Sequence, residues 1–223
     1  NTQRLHCAAR LSNIPVHAFE KEHGTPHAKV VDWFTHGKGR AILVPDTDED
    51  CTWESDFGQT YALMMIRESL EVNDDSWHPV HVMVEAADAC HWSRVQCDAQ
   101  DKVIGLFLGQ DTLLGSLPDE LFGLRHLETL HVLANPKLVG TISTLIGGLS
   151  RLKELHVHKT SIQGTIPTEL GSLTRLATAL FHETQLKGDM PSEVCDLKNR
   201  GTLKQLEASC QLVPCPCCIC APS

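Results

Sequence analysis

From Val103 to Leu197 the chain reads VIGLFLGQDTLLGSLPDELFGLRH, LETLHVLANPKLVGTISTLIGGLSR, LKELHVHKTSIQGTIPTELGSLTR and LATALFHETQLKGDMPSEVCDL. Set beneath one another, these units begin at Val103, Leu127, Leu152 and Leu176, a spacing of 24 or 25 residues. Two further apolar columns recur, Leu106/Leu130/Leu155/Ala179 and Leu108/Val132/Val157/Phe181. A polar column follows at Asp111, Asn135, Thr160 and Thr184. It is succeeded by Leu113, Leu138, Ile162 and Leu186, and then by Gly115, Gly140, Gly164 and Gly188. A fixed period of this length marks a solenoid, in which each unit contacts its neighbours.

One such unit cannot bury its apolar side alone. Apolar residues at the first, fourth and sixth positions make a short strand, with the intervening side chains facing solvent. The polar column turns the chain, its side chain bonding backbone groups in the turn. Glycine allows a tight bend, and Pro118, Pro167 and Pro191 fix the return path. Stacking then buries the leucine and isoleucine columns, at roughly 1.5–3 kcal/mol per side chain.

These motifs resemble the plant-type leucine-rich repeat family, whose repeat is LxxLxLxxNxLxGxIPxxLGxL. Residues 162–173, IQGTIPTELGSL, match its second half nearly residue for residue. Ser143 replaces the proline in the second unit, Pro136-Lys137 inserts one residue, and Ala179 weakens one column. The resemblance covers about residues 60–220. It implies an α/β solenoid: a short right-handed superhelix with a parallel β-sheet on its concave face, capped at both ends by disulfide-bonded segments.

The same resemblance divides the chain. Residues 1–57 form an N-terminal appendage, 58–102 a cap, 103–199 four repeats, and 200–223 a last strand with a cysteine-rich cap. In the cap, residues 61–70 carry apolar side chains at helical spacing, and the helix they form covers the first repeat better than it serves as a methionine-rich binding face. The stretch Cys90–Cys97, CHWSRVQC, looks like the CxWxGVxC cap signature with Arg94 in place of glycine. By that resemblance Cys90 pairs with Cys97. A zinc site on those cysteines and His91 is the lesser reading.

The chain has 223 residues, 42% of them hydrophobic and 21% charged, with a formal net charge of −9. The acidic balance argues against a nucleic-acid surface, which needs clustered lysine and arginine. No apolar run of 18 residues exists, so no membrane span is expected, and the opening NTQRLHCAAR reads as a mature terminus after processing. There is no Asn-x-Ser/Thr acceptor. Ten cysteines point to disulfides and an oxidising compartment, either secreted and cell-surface or an organelle lumen. A Cys7–Cys51 bridge would staple the appendage, although sequence alone leaves the pairing open. Cys195, Cys210, Cys215, Cys217, Cys218 and Cys220 are read as three disulfides in preference to a thiolate metal cluster.

Within the appendage, the apolar runs Lys29–Phe34 and Ala41–Val44 are expected to be strands or one hairpin. Gly37–Arg40 lacks the spacing of a phosphate loop. Asp46–Asp50 begins like a calcium loop, but Cys51 stands where its glycine belongs and Phe57 where its bidentate glutamate belongs, which leaves an acidic loop.

Outward strand positions supply the candidate partner-binding face: Phe107, Gln110, His131, Leu133, Lys153, His156, His158, Leu180, His182 and Glu183. At an interstrand spacing of about 4.8 Å, His131 stacks with His156 and His158 with His182. The cluster admits a divalent metal with Glu183 as carboxylate, a pH-sensitive contact surface, or a hydrated face. The last is favoured, so no metal and no cofactor is expected; His156, His158 and His182 are the residues placed to hold one. No hydrolase, metalloprotease or nucleotide motif is found, and an enzyme is not expected. The expected function is a protein-binding module, resembling a receptor ectodomain or an inhibitor, whose partner is another protein, a peptide or a glycan. The alternative is a structural subunit of a permanent assembly, with residues 1–57 as its attachment arm.

Overall fold

The computed structural model describes residues 2–12, 25–35, 51–53, 55–70, 89–110 and 113–221. Each repeat gives one short strand to a shared sheet: β2 (Val103–Phe107), β3 (Thr129–His131), β4 (Glu154–His156) and β5 (Thr178–Leu180). A strand before them, β1 (Val95–Cys97), and two after, β6 (Gln205–Ala208) and β7 (Ile219–Cys220), complete a seven-stranded sheet in sequential order. Only β1 runs antiparallel. Seven strands at about 4.8 Å make the sheet roughly 29 Å wide, against the ~20 Å that four repeats and one cap strand would give.

The apolar columns set the register. Leu106, Leu130, Leu155, Ala179 and Leu206 are paired across successive strands, each at most 1% exposed. A one-residue slip would turn the whole row to solvent. Behind the sheet the chain returns through 3₁₀ helices at Asp119–Gly123, Thr144–Gly148 and Thr168–Ser172, and through an α-helix at Ser192–Asn199. Pro118, Pro167 and Pro191 sit immediately before three of these helices. Where Ser143 replaces proline, its Oγ accepts from Leu145 N at 3.4 Å and caps the fourth.

The polar column behaves as the repeat requires. Asn135, fully buried, donates through Nδ2 to Leu108 O (2.8 Å) and Val132 O (2.9 Å), and its Oδ1 accepts from Leu113 N (3.3 Å). Thr160 and Thr184 bond only their own turns, donating to Val157 O and Phe181 O at 2.7 Å. The repeat glycines all adopt φ between +82° and +88°, the region where a side chain is strained.

The amino-terminal helices are α1 (Thr2–Ser12), α2 (Pro26–Thr35) and α3 (Asp56–Ser69). The run Lys29–Phe34 is therefore helical and not a strand. Pro26 occupies the first helical position, where its missing N–H costs nothing, and the tertiary contacts are helical ones: Val30, Val31 and Phe34 are buried in the core cluster, and Phe34 packs on Phe57 at 4.6 Å. The expectations for Ala41–Val44, Gly37–Arg40, Asp46–Asp50 and Asp111 fall outside the described residues.

Helix α3 starts at Asp56, capped by Ser55, whose Oγ accepts from Gly58 N at 3.0 Å. It spans the expected boundary between residues 57 and 58, so appendage and cap share one helix and one core. It is buried from Phe57 to Ile66, including Met64 and Met65. Its Gln59 seals the open end of the repeats: Oε1 accepts from Val103 N at 2.7 Å and Nε2 donates to Asp101 O at 3.1 Å. A sheet end left bare would expose such groups.

All ten cysteines are paired, as Cys7–Cys51, Cys90–Cys97, Cys195–Cys217, Cys210–Cys220 and Cys215–Cys218. The three carboxy-terminal bonds hold β7 against β6 at the far end of the sheet. None of these sulfurs is a thiolate available to a metal.

Candidate functional site

The outward side chains of β2 to β6 fall into rows because the strands are in register. One row runs Phe107, His131, His156, Leu180, Glu207. A second follows two residues later, where backbone bonds link Ala134 N to His158 O (3.0 Å) and Lys159 N to His182 O (3.1 Å). Leu133, His158 and His182 stand side by side there.

The rings of these rows touch in sequence. The edge of Phe107 meets His131 at 5.3 Å between centroids. His131 stacks on His156 at 4.0 Å with 3° between planes, His156 meets His158 edge-on at 5.9 Å, and His158 stacks on His182 at 4.6 Å. Five rings thus form one stripe across four strands. The two stacked pairs are those expected from the sequence.

The environment of the stripe makes its centre poor in charge. Burial, with His131 nearby, lowers the pKa of His156 to about 4, against a weaker opposing pull from Glu154. Burial, with His182 and Lys159 nearby, also lowers that of His158. Both imidazoles are neutral at neutral pH. His156 Nε2 and His158 Nδ1 are buried without a hydrogen-bond partner. Around them His131 Nε2 lies 3.0 Å from Glu154 Oε2 and His182 Nδ1 3.3 Å from Glu207 Oε2, and two ion pairs border the stripe, Lys153 Nζ with Glu128 Oε2 at 2.6 Å and Lys159 Nζ with Glu183 Oε1 at 3.6 Å.

Most of the expected face is therefore brought together, with corrections. Leu180 is not exposed: with His156 and Glu207 on either side of it in the row, it keeps 9% of its surface. Phe107 keeps 37% and does present an apolar surface. Lys153 and Gln110 are exposed at opposite ends of the strands. Glu183 lies beside Lys159, and the carboxylate next to the stacked pair His131–His156 is Glu154. Glu154 and Glu207 are the carboxylates beside the stripe that are absent from the expected set. Strand alternation places both outward, and that was the signal available.

Parallel strands in register and disulfide-bonded ends give the chain the look of a short leucine-rich repeat domain, and its likeness is to plant proteins of that fold. It is similar to the polygalacturonase inhibitor 1 of Oryza sativa subsp. japonica, 28% identical over 126 residues, which are 55% of this chain and 33% of that protein. Among solved structures it resembles a plant ice-binding protein, with TM-score 0.60 and 28% identity over 71% of this chain and 48% of the other. It also shares the fold of the BIR3–SERK2 complex of Arabidopsis thaliana, with TM-score 0.58 and 24% identity over 69% of this chain and 80% of that one. The chain spans about a third of the curated relative and about half of the ice-binding protein. No family model matches it. Among the described residues, no helix is long and apolar enough to cross a membrane.

Proposed function

We propose that the chain is a non-enzymatic protein-binding module acting outside the cytosol, at the cell surface or in secreted form. It presents the concave face of a right-handed superhelix to a single small epitope, in the manner of an inhibitor or a receptor ectodomain. The observation that carries this reading is the ring stripe from Phe107 to His182. Partly buried rings with the neutral His156 and His158 at their centre and lysine–glutamate ion pairs at their border resemble the anatomy of interfaces, whose desolvated centre is aromatic and whose rim is polar. Five disulfides suit an oxidising environment. The sequence relative is by name an inhibitor of another protein. The sheet width of roughly 29 Å suits one epitope better than a long groove.

The test is capture from an extracellular extract of the native source on immobilised chain, with partners identified by mass spectrometry. A Phe107→Asp/His158→Asp variant with unchanged circular dichroism serves as the comparison. A partner held by the wild type and lost by the variant supports the reading. Identical captures from both would refute the face, whatever the chain binds elsewhere. A polygalacturonase inhibition assay then separates inhibitor-like from receptor-like action. An ice-recrystallisation assay tests the activity named for the structural neighbour.

A further inference from the structure

We propose that His131, His156 and Glu154 form a binding site for a first-row divalent cation of borderline softness, with Zn²⁺ as the representative case. The ligand atoms of these three side chains already lie within 4.8 Å of one another. His131 Nε2 and Glu154 Oε2 are 3.0 Å apart, close to the separation of two ligands on one tetrahedral zinc, whose bonds are about 2.0–2.2 Å. Binding would require the His156 ring to turn out of its stack on His131 so that its nitrogen faces the same ion. Imidazole, imidazole and carboxylate with an open fourth position is a donor set suited to zinc, copper or nickel, and poorly suited to magnesium or calcium.

Three features separate this trio from an ordinary cluster of surface groups. His156 Nε2 is buried and has no hydrogen-bond partner, so a metal would satisfy a nitrogen that the fold leaves orphaned. The ligands come from two neighbouring strands held in register by the core, His131 opposite His156 and Glu154 two residues before it. A preformed backbone of this kind lowers the ordering cost of binding. Finally, every cysteine is in a disulfide, so the imidazoles meet no competition from thiolates. His158 and His182 continue the stripe beside the site without joining its ligand set. The proposal goes beyond the protein-binding reading and does not rest on it, because the metal alone is the probe.

The experiment is calorimetric titration of the full oxidised chain with ZnCl₂ after removal of trace metal, alongside His131→Gln, His156→Gln and Glu154→Gln variants and a His126→Gln control. The expected result is one ion per chain, unchanged affinity in the control, and a loss exceeding about 100-fold in each site variant, since even outer-shell changes cost 10–100-fold. Should a variant misfold, imidazole ¹H–¹⁵N spectra of the wild type decide the matter. Zinc should move the Nε2 resonances of His131 and His156 and leave those of His6, His27, His91 and His126 in place. Absence of saturable binding, affinity unaltered by the site substitutions, or zinc-induced shifts at His158 and His182 alone would each overturn the assignment.

Discussion

Asn135 offers the most direct measure of what holds one coil to the next. Replacing it with alanine deletes an amide that donates to Leu108 O in the preceding repeat and to Val132 O in its own, and removes the acceptor of Leu113 N. Three net hydrogen bonds at about 1 kcal/mol each give a loss of about 3 kcal/mol, and orphaned buried carbonyls push it higher. Thr160→Val is the matched comparison. The shape is kept, one donation to Val157 O and one long contact from Ile162 N disappear, and the side chain makes no bond to a neighbouring repeat. Its cost is about 1 kcal/mol. For a chain of this size 1 kcal/mol is about 2–4 °C in Tm, so Asn135→Ala should melt about 6–12 °C lower and Thr160→Val about 2–4 °C lower. The assay is thermal denaturation by circular dichroism without reductant, with urea titration to check that m is unchanged. A shift for Asn135→Ala no larger than that for Thr160→Val would mean that bridging two coils carries no weight.

Three further outcomes follow from the caps. Arg94 has φ +68° at the position where the cap signature carries glycine, so Arg94→Gly should raise stability by about 1 kcal/mol, read as a higher Tm. Opening the 22-residue Cys195–Cys217 loop with serines should cost about 3 kcal/mol by loop entropy, seen as a lower urea midpoint with the other four disulfides intact by mass spectrometry. Asp98 Oδ1 accepts from Lys102 N and Gln100 N at 2.9 Å. The bond from Lys102, with help from Gln100 and despite an opposing desolvation effect, holds its carboxyl below the ordinary 3.8. A carboxyl lowered on folding contributes stability above its unfolded pKa and loses it as pH falls through the folded one. The wild type should therefore lose its advantage over Asp98→Asn only below about pH 3.8, and a constant gap across acid titration would contradict this.

The repeats were legible because four copies solve one packing problem. Leu106, Leu130 and Leu155 occupy identical environments, so the same residue recurs and the period shows through. The amino-terminal helices had no such redundancy. Lys29–Phe34 is a short apolar run that fits either period, and only Pro26 marked it as a helix start. At the candidate site, the stacked histidines were readable from strand spacing alone. The approach of Glu154 to His131 was not, because it depends on a side chain reaching diagonally across to the neighbouring strand. The burial of Leu180 depends in the same way on side chains from the neighbouring strands β4 and β6.

The two ends of the molecule are sealed by different means, and this bears on how it carries load. At one end Gln59 closes β2, the first repeat strand, with hydrogen bonds from a helix, beside the short Cys90–Cys97 loop. At the other, the stretch from Cys195 to Cys220 is looped by three covalent bonds. Tension applied between the termini can peel the helical seal from Val103 and unspool the coils that follow. It cannot draw out chain closed by disulfides: the 22-residue step from Cys195 to Cys217 withholds about 75 Å of extended chain, and the 44-residue step from Cys7 to Cys51 about twice that. Stretched in an optical trap, the oxidised protein should therefore lengthen through its repeats and stop short, and reductant should release the length held back at both ends in a last step.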